Sequence, residues 1–117
     1  MLWHVVLMKP RPDLSRSDRA SFIDAFKRAV REIPTVRDVR VGKRAMHGAG
    51  YEQGTSDAAD YIAIIEFDDV VGVRTYLRHP AHAELGARLG QSCSSARVYD
   101  FEMSEAGLAA LDAGGFV

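Results

Sequence analysis

The segment Tyr76-Leu77-Arg78-His79-Pro80-Ala81-His82-Ala83-Glu84 places a phenol and two imidazoles within seven positions. Pro80 has its φ preset and no amide hydrogen to lose, which suits the first position of a helix. His79 then falls at the cap and His82 in the first turn. There, exposed N–H groups and the positive end of the helix dipole disfavour an imidazolium. An imidazole kept neutral near pH 7 is able to accept a proton, which is the requirement for a general base. The alternative is that His79 only caps the helix and His82 is a packed or solvated histidine.

Two further histidines complete the set. His4 is the one polar residue of an apolar run, Leu2–Met8, and shares a face with Leu2, Val6 and Met8 if that run is a strand. His47 lies in a Gly-rich polar stretch and is expected to be solvated. Three imidazoles, His4, His79 and His82, would suit zinc or a non-haem metal. Pro80, however, aims the two neighbouring rings by cap geometry rather than along one helix face, so no metal is expected. Gly48-Ala49-Gly50-Tyr51-Glu52-Gln53-Gly54 superficially resembles a phosphate-cradling loop. It has no following Lys-Ser/Thr and leads into a strand, so it reads as a connection.

The elements that must position these groups follow from pattern. Leu2–Met8, rich in β-branched and aromatic types and stopped by Pro10 and Pro12, predicts a strand covered on both faces. Ser15-Arg16-Ser17-Asp18 reads as a helix start. Phe22, Ile23, Phe26, Val30 and Ile33 recur at helical spacing as the buried side, ending near Ile33-Pro34. Lys27, Arg28, Arg31 and Glu32 form a solvated charged side. Val36–Lys43 predicts a second strand, with Val39 and Val41 alternating against Arg40.

The stretch Arg44–Ala59 is a long hairpin connection, of a length often associated with a lid or a mobile tip. Tyr61–Phe67 is a third strand, again apolar on both faces. Asp68-Asp69 caps a short helix with Val70, Val73, Tyr76 and Leu77 on one side. His79-Pro80 breaks it, and a further helical piece runs to about Leu89. Ala96–Phe101 is a fourth strand. The tail, 104–117, has a weak helical pattern at Leu108 and Leu111 that ends at Gly114-Gly115.

The order is β-α-β-β-α-β, an α+β ferredoxin-like arrangement with an antiparallel sheet. Both helices fall on one side of that sheet, yet the first and third strands are apolar on both faces. A second copy packing sheet against sheet would cover the bare face, so a homodimer with a barrel between protomers is expected.

Bulk properties narrow the function. The chain has 117 residues, 15 basic and 16 acidic, for a net charge of -1. That implies one domain and no field to recruit nucleic acid or an anionic membrane. Exposed sheet aromatics in a basic surround, as RNA-binding domains of this strand order need, are not evident. No apolar run is long enough to span a bilayer. Cys93 is the single cysteine, so neither a disulfide framework nor a thiolate metal site is available. No signal peptide is recognisable. The expectation is a soluble cytoplasmic protein.

Several segments resemble the stress-responsive A/B barrel (Dabb) family across residues 1–103, leaving 104–117 as a C-terminal tail. They are His4-Val5-Val6-Leu7, Ile33-Pro34-Thr35-Val36-Arg37-Asp38-Val39 with Gly42, Ile64-Ile65-Glu66-Phe67, and Tyr76-Leu77-Arg78-His79-Pro80-Ala81-His82. The resemblance implies a dimeric α+β barrel. Some relatives are polyketide cyclases that close a linear poly-β-keto thioester by an intramolecular aldol step without a cofactor. Carried over by resemblance, Tyr76 and His82 would be catalytic and His4 their partner on the first strand. Val6, Met8, Phe22, Phe26, Ala63 and Ile65 would line the substrate cavity. Phe26 stands where such cyclases have a tyrosine, and Tyr61 where they have a further histidine.

Two function classes stay open on these residues. One is a cofactor-free enzyme or carrier for a small, apolar, carbonyl-bearing molecule. The other is a non-catalytic stress or assembly protein whose barrel is the functional object. A cofactor-free monooxygenase of the related barrel type has only Trp3 and His4 to support it. A cavity that reaches His82 would favour the first class.

Overall fold

Alternation along the first strand organises the molecule, which is a computed structural model describing residues 1–54 and 58–113. In β1 (Leu2–Pro10), Leu2, His4, Val6 and Met8 are buried while Trp3, Val5 and Leu7 are only partly covered. The chain continues through α1 (Arg16–Glu32), β2 (Asp38–Lys43), a 3-10 turn (Gly50–Glu52), β3 (Tyr61–Phe67), α2 (Val70–Arg78), α3 (Pro80–Ser92), β4 (Cys93–Glu102) and α4 (Ala109–Ala113). The strands form one sheet in the order β2-β3-β1-β4. Every pairing is antiparallel, which is the ferredoxin-like α+β arrangement that the pattern predicts.

The helices pack on one face. Leu2, Ile65 and Phe67 from the sheet meet Ala25, Ala29 and Ile33 of α1, Val73 and Tyr76 of α2, and Ala81 and Leu85 of α3. Ser15 caps α1 by accepting from the Asp18 amide at 3.0 Å, and Asp69 caps α2 through the Gly72 amide at 3.0 Å. Gly72 sits where α2 comes closest to its neighbours. A Cβ there would be 3.4 Å from Thr35 and 3.6 Å from Phe67. The Thr35 hydroxyl donates to the Gly72 carbonyl at 2.8 Å.

Among the described residues no helix covers the opposite face. Antiparallel register places Tyr99 beside Val5 and Arg97 beside Leu7, with Ile64 and Ile62 on the other side. Tyr99 and Phe101, 47% and 50% exposed, stack against each other on this face at 6.2 Å. The sheet therefore presents an open surface whose apolar part is Val5, Ile64, Tyr99 and Phe101, with charged residues such as Arg97 and Glu66 around it.

Several expectations need correction. The buried side of α1 is carried by Ala25, Ala29 and Ile33, whereas Ile23 is exposed and Phe22 and Phe26 are only partly buried. Small residues let α1 approach α3 closely, and that contact rotates the larger side chains away from the core centre. In α2, Val73 and Tyr76 are buried, but Val70 and Leu77 are exposed. β2 starts at Asp38 rather than Val36, because the Val36 amide is used in a turn onto the Ile33 carbonyl at 3.3 Å. Val41 is 65% exposed, since β2 is an edge strand. β4 is longer than Ala96–Phe101, as its backbone pairs along β1 from Pro10 to Leu2 whatever the side chains are.

The hairpin connection carries local order of its own. The Glu52 carboxylate accepts from the amides of His47 at 3.0 Å and Gly48 at 2.8 Å. Those bonds, the His47 one foremost, hold its carboxyl below the usual range. His47 is exposed, with its ring nitrogen 3.1 Å from the Tyr51 hydroxyl. Thr55, Ser56 and Asp57 lie outside the described residues, as do Gly114 and Gly115. The tail's helical pattern corresponds to α4, beside which Leu108 remains 83% exposed.

Candidate functional site

The buried face of β1 sets one wall of the site. His4 is 3% exposed, and its Nδ1 lies 2.7 Å from Oδ1 of Asp100 on β4. Residues 4 and 100 are direct cross-strand partners, so the strand register delivers the carboxylate to the imidazole. Above them stands Tyr76, 1% exposed and buried in the last turn of α2. Its ring lies 5.6 Å from that of His4, 5.1 Å from Phe67 and 4.7 Å from His82.

His82 reaches this cluster because of the break between α2 and α3. The His79 ring accepts from the Ala81 amide at 3.0 Å, and Pro80 occupies the first turn. His79 is therefore a helix cap, with that nitrogen turned to the backbone. The cap aims α3 so that His82 faces back over Tyr76. Among the described residues no group of three or more His, Cys, Asp or Glu is arranged to hold a metal ion.

A cavity of about 200 Å³ opens against these rings. His4, Tyr76 and His82 supply its polar edge, and Val6, Met8, Phe22, Phe26 and Ile65 supply apolar wall. These residues, expected at the site from resemblance, are thus brought together. Ala63 is fully buried and packs with Val6 and Met8 below that surface, so it does not line the cavity. Trp3 points to the opposite sheet face, beside Asp38, Arg40, Ile64 and Glu66, and does not join His4. No described residue of the hairpin connection lines the cavity.

Pattern reading missed Leu85, Leu89 and Val98, which close the apolar wall, and Asp100. Asp100 was legible as a carboxylate set between Tyr99 and Phe101 in the fourth strand. Its partner was not, because the pairing depends on the β1–β4 register.

Electrostatics separate the two central groups. Burial pushes the Tyr76 phenol up to about 12, so it stays protonated and able to donate. The Tyr76 hydroxyl makes no hydrogen bond with another described residue, and no fully buried side-chain polar atom is left unpartnered. Tyr76 is among the residues that border the cavity. His82 is held below the ordinary imidazole value, first by burial and then by repulsion from His4, with a backbone contact at Leu77 pulling the other way. The direction matches the sequence expectation. The leading cause is burial rather than the helix start. A neutral imidazole beside a protonated phenol, over an apolar hollow, can remove a proton from a carbon acid and hydrogen-bond the oxyanion that forms.

Over 83 residues the chain is 23% identical to olivetolic acid cyclase of Cannabis sativa, covering 71% of this chain and 77% of that one. A protein of Arabidopsis thaliana superposes with a TM-score of 0.74 at 22% identity, covering 92% of this chain and 100% of the other. A dimeric ferredoxin-like protein of unknown function from Bacteroides fragilis gives a TM-score of 0.60 at 25% identity, with 87% and 95% covered. The stress responsive A/B barrel domain model matches residues 2–103. The chain belongs to the stress responsive A/B barrel domain family.

Proposed function

We propose that the protein binds a small, apolar, carbonyl-bearing molecule between sheet and helices and catalyses an aldol-type ring closure on it, without a cofactor. The juxtaposition of His82 and Tyr76, 4.7 Å apart at the wall of an apolar cavity, carries this reading. His82 takes a proton from the carbon α to a carbonyl, and the electron pair moves onto the carbonyl oxygen. Tyr76 donates a hydrogen bond to that oxygen, a contribution of roughly 3 kcal/mol by comparison with single oxyanion donors. The enolate carbon then bonds to a second carbonyl of the same molecule, and the imidazolium returns its proton to the new alkoxide. His4, oriented by Asp100, positions the carbonyl from the sheet side.

The similarity to a protein named as a cyclase supports the same chemistry. The cavity, about 200 Å³, falls below the ~300–1,000 Å³ of ordinary ligand sites. It therefore fits the reacting end of a molecule rather than a large substrate. Turnover of a panel of poly-β-keto thioesters by the wild type, His82→Gln and Tyr76→Phe tests the proposal. Product formed by the wild type and lost from both variants supports it, and equal turnover by all three overturns it.

The working form is proposed to be a cytoplasmic homodimer formed through the open sheet face. The open apolar surface around Val5, Ile64, Tyr99 and Phe101 and the dimeric state of a relative with this fold support the dimer. No described helix is long and apolar enough to cross a membrane.

A further inference from the structure

A second, larger hollow of about 470 Å³ lies between α1 and β2. Its walls are apolar: Ile23, Phe26 and Val30 from the helix, Val39 and Val41 from the edge strand. The polar side chains that border it are both cations, Lys27 and Arg31. We infer that this hollow takes the hydrocarbon chain of a carboxylate-bearing molecule, a medium-chain fatty acid in type, with Lys27 and Arg31 binding the carboxylate.

Charge carries the argument. Arg28, between them in sequence, is engaged by Glu32 at 3.1 Å and Glu84 at 3.0 Å. Lys27 and Arg31 have no ion-pair partner among the described residues. Like charges four residues apart on a helix disfavour one another, and an anion between them relieves that repulsion. Apolar side chains that stay open to water, Val41 at 65% and Ile23 at 41%, gain from an aliphatic cover. The size falls within the ~300–1,000 Å³ usual for small-molecule sites.

Continuity sets the orientation. Met8, Phe22 and Phe26 border both this hollow and the cavity at His82, so the chain's far end approaches the three-ring cluster. The inference goes beyond the proposed chemistry, because binding here needs neither His82 nor Tyr76, and the two fail separately.

Calorimetric titration of the full chain with decanoate and with decanol, both below their aggregation limits, provides the test. Decanoate is expected to bind saturably and about tenfold more tightly than decanol, equivalent to ~1.4 kcal/mol, with the preference shrinking in high salt. The double variant Lys27→Gln/Arg31→Gln should lose the preference while still binding decanol. Val41→Trp, at an exposed position that tolerates change, should weaken both. His82→Gln should bind decanoate as the wild type does. Equal affinity for the two probes, no binding of decanoate, or an undiminished preference in the double variant would overturn the assignment.

Discussion

His4 and Asp100 are 96 residues apart in sequence and 2.7 Å apart in space, imidazole Nδ1 to carboxylate oxygen. The buried member, His4, has 4% of its side chain exposed, whereas Asp100 has 44%. The pair therefore anchors the polar floor of the cavity to an accessible carboxylate on an edge strand. Asp100→Ala leaves a buried ring nitrogen without its partner and should cost about 1–3 kcal/mol. Asp100→Asn, which keeps a side-chain oxygen, should cost less. Chemical denaturation of the three proteins measures both.

Tyr76 separates packing from chemistry. Its ring fills the core, but its hydroxyl bonds to no described residue. Tyr76→Phe should leave stability within about 0.5 kcal/mol of the wild type while lowering turnover by roughly 10²-fold. Tyr76→Ala should cost about 3–5 kcal/mol through the cavity it opens. Thermal unfolding and turnover of the two variants check this.

The two histidines flanking Pro80 should part in the same way. His79→Ala removes a cap and should lower stability by about 1 kcal/mol, by analogy with other caps, with little change in turnover. His82→Gln should lower turnover by about 10²–10⁴-fold, the range for general acid–base groups, with a smaller change in stability.

Titration gives an independent reading. His82 binds its proton less readily folded than unfolded. As pH falls below the ordinary imidazole value of 6.5, the unfolded chain takes up the proton first and stability declines. His82→Gln should flatten that decline. Tyr76 works at the other end: its folded value near 12, against 10.0 unfolded, means stability is present below pH 10 and lost as pH rises towards 12. Ultraviolet absorbance should show one of the four tyrosines ionising late, and Tyr76→Phe should remove that step.

Dimerisation through the bare sheet face also has a direct check. Ile64→Arg places a charge at the centre of that face and should yield monomers in analytical ultracentrifugation, because an unpaired charge resists burial. An unchanged dimer would mean that another surface pairs the chains.

What the sequence disclosed follows from which physical signal each feature leaves. Period-two and helical patterns located the strands and helices, and His79-Pro80 marked the α2–α3 break, because local backbone chemistry decides those features. The face of α1 was misjudged because Ala25 and Ala29 look unremarkable in an apolar pattern. Close approach to α3 is what buries them. His4, Tyr76 and His82 were visible as residue types, but their assembly rested on resemblance to a family. The pairing of Asp100 with His4 and the second hollow were invisible, since strand register and helix rotation are tertiary outcomes.

On the proposed function, the cavity at His4, Tyr76 and His82 receives a carbonyl compound. Imidazole-resolved NMR of the labelled protein, titrated with a small apolar β-diketone, tests it most directly. Saturable shifts of the His82 and His4 ring resonances are expected, with His47 and His79 unmoved, and the response should be lost when Val6→Phe fills the cavity. Ring resonances of His82 and His4 that stay in place at saturating ligand, or shifts confined to His47, would contradict it.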